Sequence, residues 1–365
     1  MKHLLIMTRI KREFALLLTV LIWLLCHPVL PQDPENSDFY PVKEIIPGSS
    51  GLFDSEDILE ISLRFDIAYF KKKKTSEEYL DAILTFHYNE NDSVNRNIRL
   101  QARGERRNEL CSFPPIRLNI EDSDLGYNDI EKVKNIKLVT HCNPSDIYED
   151  YLFMEYLVYK LFRIVTDTSF RVRLMQINYV DTGKRGKNET RYGFMIEPAR
   201  MVANRLDGVE IEDIVIREHY IDQQCLDIVS MFQYMIGNTD WYIPNLHNLK
   251  VFRINNYSLS NVVIIPYDFD YSGIINTYYA VPHEEQPIET VLERMYLGPE
   301  RSDEQLNDII ERFRKYKDTF ILTINQFEYL DQRYKTNMVR YIESFYKDLE
   351  DETLLKKIKF DINVR

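Results

Sequence analysis

The chain has 365 residues, of which 44% are apolar and 28% charged, with 25 Tyr and 19 Phe. That composition excludes a disordered chain and provides for a sizeable core, with length enough for two lobes or two domains. The net charge of -12 argues against sequence-independent nucleic-acid binding, which requires a basic face, so no nucleic-acid partner is expected.

Residues 1–28 read as a signal peptide or N-terminal anchor. Lys2, Arg9, Lys11 and Arg12 form a basic head, and Ala15 to Cys26 is apolar but for Thr19. That run suits a signal peptide and is short for a membrane span. No small-residue cleavage triplet follows, so a retained anchor with membrane attachment is the alternative to cleavage. The expectation is an exported protein, periplasmic, extracellular or membrane-anchored. Residues 29–56, rich in Pro, Asp, Ser and Gly, read as a linker or loosely docked arm.

Residues 57–205 read as a β-rich lobe. Leu59, Ile61, Leu63, Phe65 and Ile67 alternate with polar residues, which predicts a half-buried strand. Further strands are predicted at 82–88, 97–103, 115–120 and 133–140, and the turn-rich connections predict an antiparallel sheet. Lys71–Lys74 lies between two strand-like segments and reads as a solvated hairpin turn. A strong helix follows from Ser145 or Asp146 through Phe162. Strands at 172–180 and 191–196 and a short helix at 198–205 close this half.

Residues 206–365 read as a mainly helical lobe. Gln223–Ile236 is apolar and ends at Gly237, a helix stop. Short β-rich runs follow at 249–254 and 262–265. The tail from Asp303 to Ile358 reads as amphipathic helix with charged faces. The fold class is therefore α+β. Cys111 and Cys142, at strand ends, are expected to pair if the protein is exported, with Cys225 a buried free thiol. Three reduced cysteines are the alternative.

The chemistry concentrates between Asn238 and Gly273. Phosphoryl transfer needs metal-holding oxygens, a group beside the attacking hydroxyl, and cations on the phosphates. Asp240 followed by Asn245 has the spacing of a kinase catalytic loop, and Asp268 follows the apolar run Val262–Pro266 as a metal-binding Asp does. Asn248 competes with Asn245 for the metal role, and Asp270 is a further candidate oxygen. Mg²⁺ prefers such carboxylate and amide oxygens together with substrate phosphates. His247 either orients Asp240 or makes a structural hydrogen bond. Ordinary turn capping is the bland reading of the whole set.

Candidate nucleotide-binding groups lie in the first half. Arg103 precedes Gly104 at a strand end, Arg117 and Lys137 lie inside strands, and Lys137 is expected to pair with helical Glu155. Edge-strand charges and a surface pair are the alternative. Glu197, after the 191–196 strand, either faces the cleft or caps the helix beginning at Pro198.

In order, A-R-G-E-R-R (102–107), P-P-I-R-L-N (114–119), I-K-L-V-T-H-C-N-P-S-D (136–146), Y-G-F-M-I-E (192–197), G-N-T-D-W (237–241), H-N-L-K-V (247–251) and P-Y-D-F-D-Y-S-G (266–273) resemble the CotH kinase family. These are atypical protein-kinase-like enzymes named after a bacterial spore-coat protein. The resemblance covers about residues 58–275. It implies a two-lobed kinase-like fold using ATP and Mg²⁺ or Mn²⁺, with Ser on an exported protein as a substrate class. It implies Asp240 as the catalytic-loop Asp and Asp268 on the metal, assisted by Asn245 or Asn248. There is no G-x-G-x-x-G loop, so phosphate covering falls to other groups such as Arg103-Gly104, and D-F-D stands in place of D-F-G. These departures leave a second reading, a catalytically degenerate kinase-like scaffold of the cell envelope. A third is a metal-dependent hydrolase built on Asp240, His247 and Asp268.

Overall fold

The alternating run at the start of the β-rich half forms β1 (Leu59–Phe65), with Leu59, Ile61, Leu63 and Phe65 buried. The computed structural model describes residues 51–364 except 90–91, 121–132, 185, 213, 256–261 and 352. The expected signal or anchor, and the 29–56 segment up to Ser50, lie outside the described residues.

Six further strands join β1: β2 (Leu80–Asn89), β3 (Asp92–Ala102), β4 (Ile116–Asn119), β5 (Asn135–Val139), β6 (Val172–Asp181) and β7 (Glu189–Ile196). They close into a barrel of order β1-β2-β3-β4-β5-β7-β6. The expected antiparallel sheet forms from β1 to β5, and only the seam departs from it, where β1 and β6 run parallel from Leu59↔Met175 to Phe65↔Asp181. The interior is filled by the apolar half of each alternation, among them Leu63, Leu84, Leu100, Leu118, Ile136 and Tyr179. Closure satisfies backbone groups that an open sheet leaves at its edges.

Lys71–Lys74 is not a hairpin turn. Lys71 and Lys72 end α1 (Ile67–Lys72), whose N-terminus Asp66 caps by accepting from Tyr69 N at 2.9 Å. Cations in a last helical turn complement the helix dipole. Phe70 of α1 packs edge-on against Phe65, with centroids 5.5 Å apart. The end of the Pro- and Ser-rich segment is docked: Leu52 and Phe53 are buried in the barrel cluster, and the Ser55 carbonyl accepts from Arg173.

After the short helix α2 (Glu105–Leu110), the long helix α3 (Asp146–Val165) packs on the outer side of β6 and β7. Its apolar positions are numerous enough to bury it nearly all round, and it joins a second core with α5 (Gln223–Ile236). Between them lies α4 (Ala199–Arg205). Helix α5 stops at Gly237 in the left-handed conformation, φ 65. A second sheet has order β10-β9-β8, from β8 (Gly208–Ile211), β9 (Leu249–Ile254) and β10 (Val263–Pro266). The tail folds into α6 (Asp303–Arg314), α7 (Lys317–Gln326), α8 (Gln332–Glu350) and α9 (Leu354–Val364). The architecture is α+β, and among the described residues no helix is long and apolar enough to cross a membrane.

Cys111 and Cys142 form the expected disulfide, their Cα atoms 4.7 Å apart. It ties the end of α2 to the segment after β5. Cys225 is a buried free thiol whose pKa burial pushes up to about 12.

Candidate active site

Strand periodicity places the cations. Ile136 and Leu138 fill the barrel, so Lys137 and Val139 of β5 face outward, where Arg117 is the cross-strand neighbour of Lys137. Arg103 follows β3, and the chain then turns through Gly104 into α2. From the other side, β10 delivers Tyr267 and Asp268. Asp268 has φ 63, uncommon for a residue with a side chain, and its amide donates to Tyr159 Oη of α3 at 2.9 Å. Arg103, Gly104, Arg107, Val139, Glu155 and Asp268 line a narrow cleft with a cavity volume of about 20 Å³.

Arg107, which the sequence did not single out for a role, is the hub of this cleft. Its Nη2 donates to Glu155 at 2.8 Å and its Nε to Asp270 at 3.0 Å, and Asp268 Oδ1 lies 3.6 Å from Nη2. The expected Lys137–Glu155 pair is therefore corrected: the partner of Glu155 is Arg107. A lysine on β5 carries a point charge, whereas the α2 guanidinium presents a fork that reaches two carboxylates at once. Lys137 instead lies over the Tyr267 ring, 4.5 Å from its centroid. Desolvation, helped by Arg103 and Lys250, brings the Lys137 pKa down to about 7. The Arg103 guanidinium makes no hydrogen bond or ion pair among the described residues. Burial lowers its pKa while the charge of Asp268 raises it.

The three carboxylates around Arg107 differ in environment. Asp268 keeps 38% of its side chain exposed. Burial opposes its ionisation, but Arg107 and Arg103 outweigh it and hold the group below the usual carboxylate range. Asp270 is buried and accepts from Arg107 and from Tyr279 Oη at 2.9 Å, and desolvation pushes its pKa to about 8. Its Oδ2 is taken up by Arg107 and Tyr279. Glu155 is likewise buried, and burial raises its pKa. Glu197 stands apart, with Oε1 accepting from Arg205 Nε at 3.1 Å and Oε2 from Arg205 Nη2 at 2.9 Å. The Arg171 amide also donates to Oε2 at 3.0 Å. This carboxylate anchors α4, and it makes no side-chain cap at Pro198.

The loop after α5 builds around Asp240. Its amide donates to Asn238 Oδ1 at 3.0 Å, His247 Nε2 lies 2.9 Å from Oδ1, and Asn248 Nδ2 donates to Oδ2 at 2.9 Å. Asn248 is joined to the metal-loop side as well, since its carbonyl accepts from the Tyr267 amide at 3.1 Å. Its own side-chain oxygen takes no hydrogen bond among the described residues. Asn245 is turned elsewhere, accepting from the His247 amide at 3.1 Å within its own turn.

Tyr159 and Tyr279, like Arg107, escaped the sequence reading. Arg106 and Arg107 stand side by side in A-R-G-E-R-R. Nothing in that string tells which one points inward.

No protein-family model matches the chain, and no curated protein matches it. Among solved structures, the chain is similar to the crystal structure of a Helicobacter pylori proinflammatory kinase, CtkA, at 10% identity and a TM-score of 0.36. The match covers 67% of this chain and 94% of that one. A superposition at that score does not establish a shared fold.

Proposed function

We propose that the chain is an exported phosphotransferase that uses ATP and Mg²⁺ or Mn²⁺, acting on protein hydroxyls as a kinase of the CotH type. Residues 57–205 are its nucleotide-covering lobe and residues 206–365 its helical lobe. The observation that carries this reading is the cleft. Arg103 lines it with an Asp268 that keeps part of its surface open, and Lys137 lies beside it over the Tyr267 ring; both cations are partly buried and without a carboxylate partner among the described residues. Desolvated cations without a counterion are anion-binding groups in waiting, and phosphates satisfy them.

The donor chemistry suits a hard cation. Asp268 and the Asn248 amide oxygen are oxygen ligands from adjoining backbone segments, the incomplete set that Mg²⁺ or Mn²⁺ completes with substrate phosphates and water. Among the described residues no His, Cys, Asp or Glu group of three or more forms a preassembled cage. A bound divalent ion supplies charge neutralisation on the phosphates. Arg103 and Lys137 hold phosphate oxygens, and Arg107 keeps Asp268 ionised. Asp240, set by His247 and Asn248, accepts the hydroxyl proton.

The test is Mg–ATP binding and phosphoryl transfer with the purified full chain. Asp268→Asn is expected to abolish binding, and Asp240→Asn to retain binding while losing transfer. A wild-type chain that neither binds nor hydrolyses ATP with Mg²⁺ or Mn²⁺ overturns the reading.

One observation favours a non-catalytic scaffold instead. The cleft's cavity volume of about 20 Å³ falls far below that of small-molecule sites, about 300–1,000 Å³. For a scaffold, wild type and Asp240→Asn behave alike in every ATP assay. Export, and attachment through the N-terminal segment, are tested by locating the full chain after cell fractionation.

A further inference from the structure

We infer that Tyr341 of α8 is a positioning residue, which fixes the spacing between the loop that carries Asp240 and the loop that carries Asp268. Its functional meaning rests on the phosphotransferase reading; its geometry rests on packing alone.

The two loops are stitched together where they begin and end. The Gly273 amide donates to the Gly237 carbonyl at 3.0 Å, and the Ile274 amide to the Ile236 carbonyl at 3.0 Å. Tyr341 lies across this seam. A Cβ on Gly237 would stand 1.9 Å from Tyr341 Oη and 3.0 Å from Cζ. On Gly273 it would stand 2.4 Å from Oη and 2.2 Å from the Val291 carbonyl. The phenol thus fills the space of both missing side chains, and Gly237 also needs its left-handed φ of 65.

The ring is held from outside. The Arg294 guanidinium lies 4.0 Å over it. Arg294 Nε donates to the Met235 carbonyl at 3.0 Å, Nη1 to Ser344 Oγ at 2.9 Å, and Nη2 to the Tyr341 carbonyl. Tyr341 Oη donates to the Leu292 carbonyl at 3.2 Å. In the same stretch, Gln286 Nε2 donates to the Thr239 carbonyl at 3.1 Å, one residue before Asp240. Residues 286–294 and α8 therefore grip the Asp240 loop, the end of α5 and the Asp268 loop as one body. With Tyr341 in place, neither acidic loop shifts without the other.

Misplacing a catalytic group by about 1 Å costs about 100-fold in rate. Tyr341→Ala is expected to lower turnover on that scale, and Mg–ATP affinity is expected to fall with it, because Asp268, on which binding depends, sits on one of the two loosened loops. The primary readout does not depend on activity: hydrogen exchange of the full chain, followed in peptides spanning 236–248 and 266–276. Tyr341→Ala is expected to speed exchange there and leave the barrel peptides unchanged. Gly237→Ala is expected to do the same by colliding with Oη. Adding Tyr341→Phe removes the 1.9 Å contact and is expected to restore protection and turnover in part, since Ala at φ 65 stays strained and Cζ still stands 3.0 Å from its Cβ. Unchanged exchange in the two peptides, faster exchange throughout the chain, or a double variant no better than Gly237→Ala overturns the positioning role. If exchange responds as expected but the wild-type chain transfers no phosphoryl group, the phosphotransferase reading fails and the brace stands.

Discussion

Removing Arg107 tests the electrostatic centre of the molecule. Arg107→Leu leaves Glu155 and Asp270, both buried, without the guanidinium that lies 2.8 Å from each. One charge pair about 4 Å apart is worth roughly 4 kcal/mol at an effective dielectric of 20. Breaking a buried pair by removing one partner costs about 3–5 kcal/mol. Protonation limits the loss: Asp270, pushed to about 8, already holds a proton below that pH, and the orphaned Glu155 takes one up as well. Their folded pKa values then lie further above the unfolded ones, so the unfolded chain releases protons that the folded chain holds. Stability falls as pH rises, by up to about 1.4 kcal/mol per pH unit per carboxylate. The expected result is a loss of about 3–5 kcal/mol at pH 8 and a smaller loss at pH 5. Urea unfolding of the full chain with the disulfide kept oxidised measures it. Arg107→Lys should recover little, since an ammonium cannot fork between two carboxylates. Arg107→Leu combined with Glu155→Leu should be more stable than Arg107→Leu alone. A loss under about 1 kcal/mol that does not vary with pH would refute the reasoning. So would a loss of the same size from Lys137→Met, because Lys137 would then be the partner of Glu155 after all.

The Lys137 pKa of about 7 makes nucleotide affinity depend on pH, because phosphate binding requires the protonated amine. Affinity is expected to fall up to about tenfold per pH unit above that value, and titrations in Lys137→Met should be weak and flat. His141 stacks on Phe113 at 4.8 Å, and desolvation, helped by Arg191 and Lys71, depresses its pKa to about 3. Its stabilising contribution is full above the unfolded value near 6.5 and is lost as pH falls toward 3. That amounts to several kcal/mol at about 1.4 per unit, and His141→Leu should flatten the acid limb of the unfolding curve. The disulfide closes a separation of 31 residues, so replacing both cysteines with Ser should cost about 3–4 kcal/mol by loop entropy. Denaturant midpoints under oxidising and reducing conditions check this.

Local patterning was legible in the sequence. Alternation at 59–65 and the helical spacing after Asp146 each specify one buried face, and a pattern of that kind needs only near neighbours. Gly237 as a helix stop was legible for the same reason, whereas the pairing of Cys111 with Cys142, 31 residues apart, stood beside the alternative of three reduced cysteines until the fold brought them together. The parallel β1–β6 seam was not legible, because hydrophobic alternation says which side chains turn inward and nothing about which strand lies alongside.

The site divides along the same line. Asp240, Asn245 with its competitor Asn248, and Asp268 could be named as candidates from spacing, whereas the partners of their neighbours depend on distances across the fold. Glu155 meets Arg107 rather than Lys137 because α2 turns one of two adjacent arginines onto the glutamate of α3. The Gly237–Gly273 contact and the phenol that fills it come from segments far apart in the chain. The stretch from Asn238 to Gly273 thus carries its acidic groups by sequence alone. Their separation, charge state and support were decided by the tertiary structure, because pairwise electrostatics and steric exclusion act through space.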